Sequence, residues 1–225
     1  MADDLTSAQK TVLEKLAHSK LREKFYWTGG TALTHFYLRH RHSNDIDLFS
    51  DQPFRYEEIF PLILEIKSAL AVKKIEEKRI FDRWEFLLHL KDRTELRAEF
   101  VLYEFPKLKP RKKWSGIFVD SLDDMAANKT MAMIDRTEPK DAFDIYFILK
   151  KKYFSPEQLL KNIQRKFGVK FSLSTFWSES LKDAATFDKL FPLLDGSRAE
   201  REKLVKEITA YYEKKAAQFL KIQWK

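Results

Sequence analysis

The spacing of apolar and polar residues changes its period along the chain, and this change predicts the order of the elements. Residues 6–20 have helical spacing, and residues 24–27 predict a short aromatic strand that ends at two adjacent glycines. A second helix is expected to begin directly after the glycines. Residues 45–49 alternate acidic and apolar side chains, as in a strand with one buried face. The first fifty residues therefore predict helix, strand, helix and strand.

The middle of the chain continues this mixed pattern. Residues 56–70 are amphipathic, with Pro61 as a point at which the helix could be split. Strand-like segments follow at residues 72–80, 83–90 and 95–103. The last two segments predict a hairpin that turns at residues 91–94.

From Ser121 onward nearly every window has helical period, and the breaking residues fall only between windows. Ser121 and Asp124 form a capping-box pattern at the start of the first of these helices, which favours a cap over a catalytic role for Asp124. Mixed strands and helices followed by helices alone predict an α+β protein. We expect an α+β domain over residues 1–120 and an all-helical domain over residues 121–225.

Composition narrows the chemistry. The 225 residues include 42 Lys and Arg and 34 Asp and Glu, which gives a formal net charge of +8. The chain contains no cysteine, and this absence excludes disulfides, thiolate metal sites and cysteine nucleophiles. The N-terminal sequence has no signal-peptide core, and no stretch is long and apolar enough to span a membrane, so we expect a soluble, cytoplasmic protein. The positive surplus favours an anionic partner, nucleic acid or nucleotide. The basic run 107–114, which ends in a tryptophan, suits either an RNA contact with a stacked base or an exposed loop.

Two of the five glycines stand side by side where the first strand gives way to a helix. Gly29 and Gly30 allow a sharp turn that brings backbone N–H groups against a phosphate, and Thr31 adds a hydroxyl at the helix start. A tight turn without a ligand, with Thr31 as a cap, is the plainer interpretation of the same residues.

Asp45 and Asp47 alternate with apolar residues in the strand that follows. Alternate side chains of a strand share a face, so the two carboxylates project together, about 7 Å apart along the strand. A divalent cation between them relieves their repulsion, and oxygen ligands suit Mg²⁺ bound to substrate phosphates. A solvated face, or salt bridges to Arg39 and Arg41, is the alternative.

Metal-dependent phosphoryl transfer usually takes a third carboxylate from a neighbouring strand. Glu99 is the candidate, because it lies in an alternating strand between apolar residues. Glu95, Asp92 and Asp82 compete with it, although a surface position explains each of them as well.

Charged residues also recur at helical spacing in the second half of the chain. Lys129 and Arg136 are seven residues apart, so both cations lie on one helical face, where they contact either triphosphate oxygens or solvent. Lys140, Asp141 and Asp144 open the next helix, where acidic residues are favoured by the helix dipole whatever the function.

Five segments follow one another in an order that is typical of a single family: YWTGGTAL (26–33), YLRHRHSNDIDLF (37–49), AEFV (98–101), SLDDMAANK (121–129) and KDAFDIY (140–146). They resemble the signature of the AbiEii/AbiGii toxin family of nucleotidyltransferases, over about residues 25–165. The chain departs from the family pattern at Glu99, where Asp is common, at Arg39, where Gly is common, and at Asn128, where Met is common.

The resemblance implies a polymerase-β-like nucleotidyltransferase core, which is a mixed sheet with helices, followed by the helical domain. It implies that Asp45, Asp47 and Glu99 are the carboxylates that hold the metal. It further implies that Gly29 and Gly30 lie at the triphosphate.

The resemblance also implies that Lys129 contacts a phosphate and that Asp141 shapes the nucleotide or acceptor site. Supporting residues expected at the site are Thr31, Arg41, Ser43, Arg136, Lys140 and Asp144. The implied activity is Mg²⁺-dependent transfer of a nucleoside monophosphate from an NTP to an acceptor, with release of pyrophosphate. The implied acceptor is the 3′ end of tRNA, and the implied role is that of a toxin paired with an antitoxin protein in an abortive-infection module.

Three other functions share parts of this pattern. A nucleotidyltransferase that acts on a protein, or on a small molecule such as an aminoglycoside, needs no extended basic groove. A non-catalytic nucleotide-binding or RNA-binding module keeps the glycine turn but does not require intact Asp45, Asp47 and Glu99. A glycosyltransferase with a D-x-D motif agrees less well with the glycine pair and the helical half of the chain.

Overall fold

The computed structural model describes residues 5–223 of the chain, which form two compact units. The first unit comprises the described residues up to Arg39, together with Ser43–Phe105 and Lys109–Ser121. The second comprises His40–His42, Pro106–Leu108 and the described residues from Leu122 onward. Every strand among the described residues belongs to the first unit.

A mixed sheet is the framework of the first unit. Its described strands are β1 (Tyr26–Thr28), β2 (Asp45–Ser50), β3 (Lys74–Ile80), β4 (Arg83–His89), β5 (Glu95–Leu102), β6 (Lys112–Trp114) and β7 (Ile117–Val119). They lie in the order β3-β4-β5-β2-β1-β7-β6. β2 is parallel to β5 and β1 is parallel to β7, whereas the other neighbours are antiparallel. The predicted hairpin of β4 and β5 is confirmed.

The two faces of β2 differ in the way that its alternating sequence predicts. Ile46 and Leu48 are fully buried, whereas Asp45 and Asp47 project from the opposite face and are half-buried. Phe100 of β5, the cross-strand partner of Leu48, is also fully buried. One face of the sheet therefore belongs to the apolar core, and the other face carries the candidate chemistry.

The described residues of the first unit form three α-helices, α1 (Ser7–His18), α2 (Gly29–Leu33) and α3 (Tyr56–Ala69), and a 3-10 helix at Lys20–Glu23. Thr6 caps α1 through a capping box with Gln9, and α2 leads into a π-helical turn at Thr34–Leu38. Pro61 lies inside α3 and does not split it. The missing N–H of a proline near the start of the helix is outweighed by the buried apolar face, which consists of Ile59, Leu62, Ile63 and Ile66.

The described part of the second unit is helical. It contains α4 (Leu122–Asp135), α5 (Pro139–Lys150), α6 (Pro156–Phe167), α7 (Leu173–Ala184) and α8 (Arg198–Gln223), with a 3-10 helix at Phe187–Leu193. Pro139 and Pro156 occupy the first positions of their helices, where a missing N–H costs least. The predicted fold class, a mixed sheet with helices followed by a helical region, is confirmed. Among the described helices, none is long and apolar enough to cross a membrane.

β6 and β7 are strands that the sequence pattern does not predict, and they correct the loop interpretation of residues 112–114. The two residues of their turn, Ser115 and Gly116, have φ values of 46° and 87°. Positive φ at both positions is typical of a tight two-residue hairpin. The ring centroid of Trp114 lies 5.4 Å from that of Trp27. Trp114 is therefore part of an aromatic cluster in the first unit, which argues against the stacked-base interpretation of this residue.

Asp124 has a larger role in the second unit than the predicted helix cap. Its carboxylate accepts hydrogen bonds from the backbone N–H of Leu108, at 2.9 and 3.1 Å, and from Nζ of Lys166, at 2.7 Å. Asp124 is fully buried, and Lys166 on α6 is nearly so. The carboxylate thus joins α4, α6 and residues 106–108.

Lys166→Met is expected to lower the free energy of unfolding by about 3 kcal/mol, because it leaves the buried Asp124 carboxylate without its cation. Lys161→Met, at an exposed position of the same helix, is the matched control and is expected to change stability by less than about 0.5 kcal/mol. Urea unfolding followed by circular dichroism measures both. Equal stabilities of the two variants would contradict the role given to Lys166.

Candidate active site

Carboxylates from three neighbouring strands meet on one face of the sheet. Asp47 of β2 pairs with Glu99 of β5, and Glu99 pairs with Glu85 of β4. Cross-strand partners project from the same face, and neighbouring strands are about 4.8 Å apart, so the three side chains are adjacent. Asp45 lies on the same face, two residues before Asp47. Asp45, Asp47, Glu85 and Glu99 are called the acidic cluster below.

Two arginines lie among these carboxylates. Nε of Arg97 is 3.4 Å from Oδ1 of Asp45, and its Nη1 is 3.8 Å from Oε1 of Glu99. Nη1 of Arg83 donates a hydrogen bond of 3.1 Å to Oε2 of Glu99. Burial is the main cause that raises the pKa of Glu99; the charges of Glu85 and Asp45 also raise it, and the two arginines oppose them. Four carboxylates against two arginines leave an excess of negative charge.

The oxygen-only donors of the acidic cluster suit a hard divalent cation such as Mg²⁺. In the part of the chain that the structure describes, no group of three or more His, Asp or Glu side chains is gathered tightly enough to hold a metal ion. Arg97 gives a physical reason, because it contacts Asp45 and Glu99 with the positive charge that a metal would otherwise supply. The donor chemistry therefore fits Mg²⁺, and Arg97 is placed where it competes with that cation.

Gly29 brings the backbone directly against the acidic cluster. Its φ is 76°, in the left-handed region, and Thr28 before it pairs with Asp47. A Cβ at residue 29 would lie 2.8 Å from the Cβ of Asp47 and would overlap its carboxylate. Only glycine satisfies both demands. Gly30 follows in the first turn of α2 and, like Gly29, is half-buried.

Thr31 and Ser43 hold the segment that leads into β2. The Thr31 hydroxyl is buried and donates to the backbone carbonyl of Asp45, and its oxygen is 2.9 Å from the Ser43 hydroxyl. Nε2 of Gln9 donates to the carbonyl of Ser43 at 2.7 Å. In the structure these two hydroxyls position the strand that carries the two aspartates.

A second group of charged side chains lies in the second unit, around the buried carboxylates Asp141 and Asp144 of α5. Nε and Nη2 of Arg41 donate to Asp144 at 2.7 and 2.8 Å. Nζ of Lys129 is 2.8 Å from Asp141 and 3.0 Å from Asp144. Nε of Arg136 donates to Asp141 at 3.0 Å. These five residues are called the α5 cluster below; its three cations outnumber its two carboxylates.

Burial and pairing together set the protonation states in the α5 cluster. Burial raises the pKa of Asp144, but Arg41 and Lys129 outweigh burial and hold that pKa well below its usual range. Burial lowers the pKa of Lys129, but Asp141 and Asp144 reverse the effect and raise it. Nε2 of His40 is 2.7 Å from Asp144, and burial lowers the His40 pKa. At neutral pH the carboxylate of Asp144 and the ammonium of Lys129 are charged, and His40 is neutral.

The structure distributes the predicted site residues over both units. The first unit holds Gly29, Gly30, Thr31, Ser43, Asp45, Asp47 and Glu99, and the second holds Arg41, Lys129, Arg136, Lys140, Asp141 and Asp144. Lys140 is half-buried at the second position of α5. The sequence suggests Asp45 or Asp47 as salt-bridge partners of Arg41. In the structure Arg41 instead donates hydrogen bonds to Asp144.

Four residues are not among the predicted site residues: Glu85, which belongs to the acidic cluster, and Arg83, Arg97 and His40, which contact members of the two clusters. A signal exists for Arg97, because it lies two residues before Glu99 and alternate residues of a strand share a face. Arg83 and Glu85 depend on the register of the β4–β5 hairpin. His40 depends on a contact with a residue 104 positions away in the sequence.

Comparison with known proteins finds relatives of this chain. The family model described as nucleotidyl transferase AbiEii toxin, type IV toxin–antitoxin system, matches residues 11–222. An uncharacterized protein of Aquifex aeolicus (strain VF5) is 29% identical over 174 residues, which are 75% of this chain and 79% of that protein.

Two solved structures share the fold. JHP933 from Helicobacter pylori is 20% identical with a TM-score of 0.58, and the match covers 96% of this chain and 92% of that chain. MenT4, a nucleotidyltransferase toxin from Mycobacterium tuberculosis H37Rv, is 14% identical with a TM-score of 0.53, and the match covers 92% and 82%. At these identities the similarity is one of fold.

Gly29→Ala is expected to weaken the binding of Mn²⁺, used as a probe of the acidic cluster, by at least about tenfold, because the new Cβ displaces the Asp47 carboxylate. Gly168→Ala is the matched control. Gly168 also has a left-handed φ, of 72°, but nothing lies within 4 Å of its added Cβ. Paramagnetic titration measures both affinities, and equal Mn²⁺ affinity in the two variants would contradict the expectation that the acidic cluster binds a cation beside Gly29.

Proposed function

Since this chain belongs to the AbiEii nucleotidyl transferase toxin family and is therefore a nucleotidyltransferase, we propose that it uses Mg²⁺ to transfer a nucleoside monophosphate from an NTP to the 3′ end of an RNA, with tRNA as the acceptor. The observation that carries the proposal is the acidic cluster beside Gly29, where carboxylate oxygens lie directly against the backbone at the start of α2. Membership in a toxin family further supports an antitoxin protein as the partner of this chain.

The proposed reaction joins the oxygen of the acceptor hydroxyl to the α-phosphorus of the NTP, and the bond from that phosphorus to pyrophosphate breaks. Asp45, Asp47 and Glu99 would hold the metal, with Glu85 beside them. A bound Mg²⁺ supplies positive charge to the phosphates and lowers the pKa of the attacking hydroxyl. By completing the metal site, Glu99 would favour deprotonation of the acceptor hydroxyl, whose proton passes to solvent while pyrophosphate keeps the electron pair of the broken bond.

Gly29 and Gly30 are proposed to position the triphosphate. The lack of a side chain at Gly29 lets the Asp47 carboxylate lie directly against the backbone, so phosphate oxygens that bind the backbone N–H groups of this turn would also be close to a cation held by that carboxylate. Arg97 supports this role, because its side chain is 42% exposed. If Asp45 held a cation, the guanidinium of Arg97 would be free to contact a phosphate.

The surplus positive charge of the α5 cluster is proposed to stabilise phosphate groups of the substrates. Asp144 holds Arg41 through two hydrogen bonds, and Asp141 orients both Lys129 and Arg136. Two buried carboxylates thereby fix three cations whose charge they only partly neutralise. An anionic ligand completes the neutralisation, which favours phosphate binding by Lys129 and by the more exposed Arg136.

An RNA acceptor is supported by the charge balance of the chain. The formal net charge is +8, and a positive surplus speeds the association of a polyanion and strengthens its binding at low salt. A protein or a small molecule as acceptor is the alternative outcome of the test.

Incubation with each of four α-³²P-labelled NTPs, Mg²⁺ and total tRNA tests the proposal. Wild-type protein is expected to label RNA with at least one nucleotide, and Asp47→Asn is expected to reduce the rate at least about a hundredfold, because it removes a charged metal ligand. Asp82→Asn, on the exposed turn between β3 and β4, is the matched control with an unchanged rate.

Labelled RNA at the wild-type rate with Asp47→Asn would contradict the assignment of the acidic cluster. Label on protein or on a small molecule, with none on RNA, would overturn the acceptor and leave nucleotidyl transfer in place.

A further inference from the structure

An aromatic row runs across the sheet next to the acidic cluster. Phe49 lies two residues after Asp47 in β2, on the same face, and its cross-strand partner is Tyr26. Tyr26 pairs in turn with Phe118 of β7. These three residues project from the same face as the acidic cluster. Their rings therefore lie next to the carboxylates, two residues further along β2.

The row extends beyond the end of β5. The backbone N–H of Tyr103 donates to the carbonyl of Ser50 at 2.8 Å, which continues the pairing of the two parallel strands. The ring centroids of Phe49 and Tyr103 are 4.8 Å apart, and those of Tyr103 and Phe105 are 5.0 Å apart. The aromatic row is defined here as Tyr26, Phe49, Tyr103, Phe105 and Phe118.

Solvent reaches much of the aromatic row. Phe49, Tyr103 and Phe118 are half-buried, and Phe105 is 45% exposed. On the opposite face of the same strands, Leu48 and Phe100 are fully buried in the core. Tyr26 is the exception in the row, because only 3% of its surface is exposed, so the rings of the row that solvent reaches are Phe49, Tyr103, Phe105 and Phe118.

Cations accompany the rings. The guanidinium of Arg111 lies 3.3 Å from the ring centroid of Tyr26 and is held there by Asp51, with hydrogen bonds of 2.6 and 2.7 Å. Nζ of Lys113, an exposed residue that pairs with Phe118, lies 5.2 Å from that ring. Exposed aromatic rings interleaved with cations are typical of surfaces that bind single-stranded nucleic acid, because bases stack on the rings and cations contact the backbone.

We propose that the aromatic row is a stacking surface for the unpaired bases next to the reacting 3′ end of the RNA acceptor, an inference that rests on the proposed function. Phe49 lies about 7 Å along β2 from Asp47, which is within reach of the nucleotide adjoining the reacting one. Tyr103 and Phe105 continue the surface away from the acidic cluster. The row then selects an acceptor with a single-stranded end, since paired bases have no free faces to stack.

Binding of a fluorescein-labelled, unpaired RNA of about eight nucleotides, followed by anisotropy without NTP at fixed low salt, tests the row. The variant Tyr103→Leu/Phe105→Leu is expected to bind about tenfold more weakly, because it removes the stacking rings and keeps apolar side chains. Unfolding curves check that the variant is folded.

Phe60→Leu is the matched control. Phe60 is 37% exposed and stacks on Tyr56, whose ring lies 4.7 Å from that of Trp84. Trp84 projects from the face of β4 opposite to Glu85, so Phe60 lies away from the aromatic row. Its replacement is expected to leave RNA affinity within twofold of wild type.

The same RNA annealed into a blunt duplex is expected to bind more weakly than the single strand, with no further loss in the Tyr103→Leu/Phe105→Leu variant. Equal binding of the single strand by wild type and by that variant would overturn the stacking proposal. So would a preference for the duplex. The label-transfer assay distinguishes the two proposals. If label is transferred but RNA affinity does not depend on Tyr103 and Phe105, only the stacking surface is contradicted. If RNA affinity depends on these rings but no label is transferred, only the enzymatic role is contradicted.

Discussion

The parallel pairing of β2 with β5 is the constraint on which the candidate site depends. It brings Asp47 beside Glu99 and Asp45 beside Arg97, and it is set by the apolar residues of the opposite face. A slip of one residue would move every carboxylate of β2 into the core, where a charge without a partner is strongly disfavoured. The repulsion among the carboxylates is then relieved by arginines in the described structure and by a divalent cation in the proposed reaction.

In the α5 cluster, buried carboxylates are likewise stabilised by neighbouring cations. Asp144 is completely buried, so its charge is tolerated only because Arg41 and Lys129 pair with it. The pairing also fixes the direction of each cation, since a guanidinium held by two hydrogen bonds cannot change its rotamer freely. The same pairs stabilise the second unit and orient the cations proposed to bind phosphate, so a substitution within the α5 cluster is expected to change both properties.

Most of the fold could be predicted from the sequence because its long elements have a clear apolar face, whereas β6 and β7 are too short to show an alternation. The two aspartates of β2 could be predicted in the same way, from spacing within one strand. Glu85 could not, because it depends on pairing between strands. The predicted turn at residues 91–94 would make residue 90 the cross-strand partner of Glu95. In the structure the partner of Glu95 is His89. This difference of one residue decides whether Glu85 or its apolar neighbour lies beside Glu99.

In the proposed reaction, nucleotide and metal meet at the acidic cluster. A crystal structure of the chain with Mn²⁺ and a non-hydrolysable NTP analogue, with the anomalous signal used to locate the metal, tests it most directly. The account predicts an anomalous peak bound by Asp45 and Asp47, a triphosphate against the backbone at Gly29 and Gly30, and an Arg97 side chain that has left Asp45. A nucleotide bound elsewhere, with no metal at the two aspartates, would contradict it.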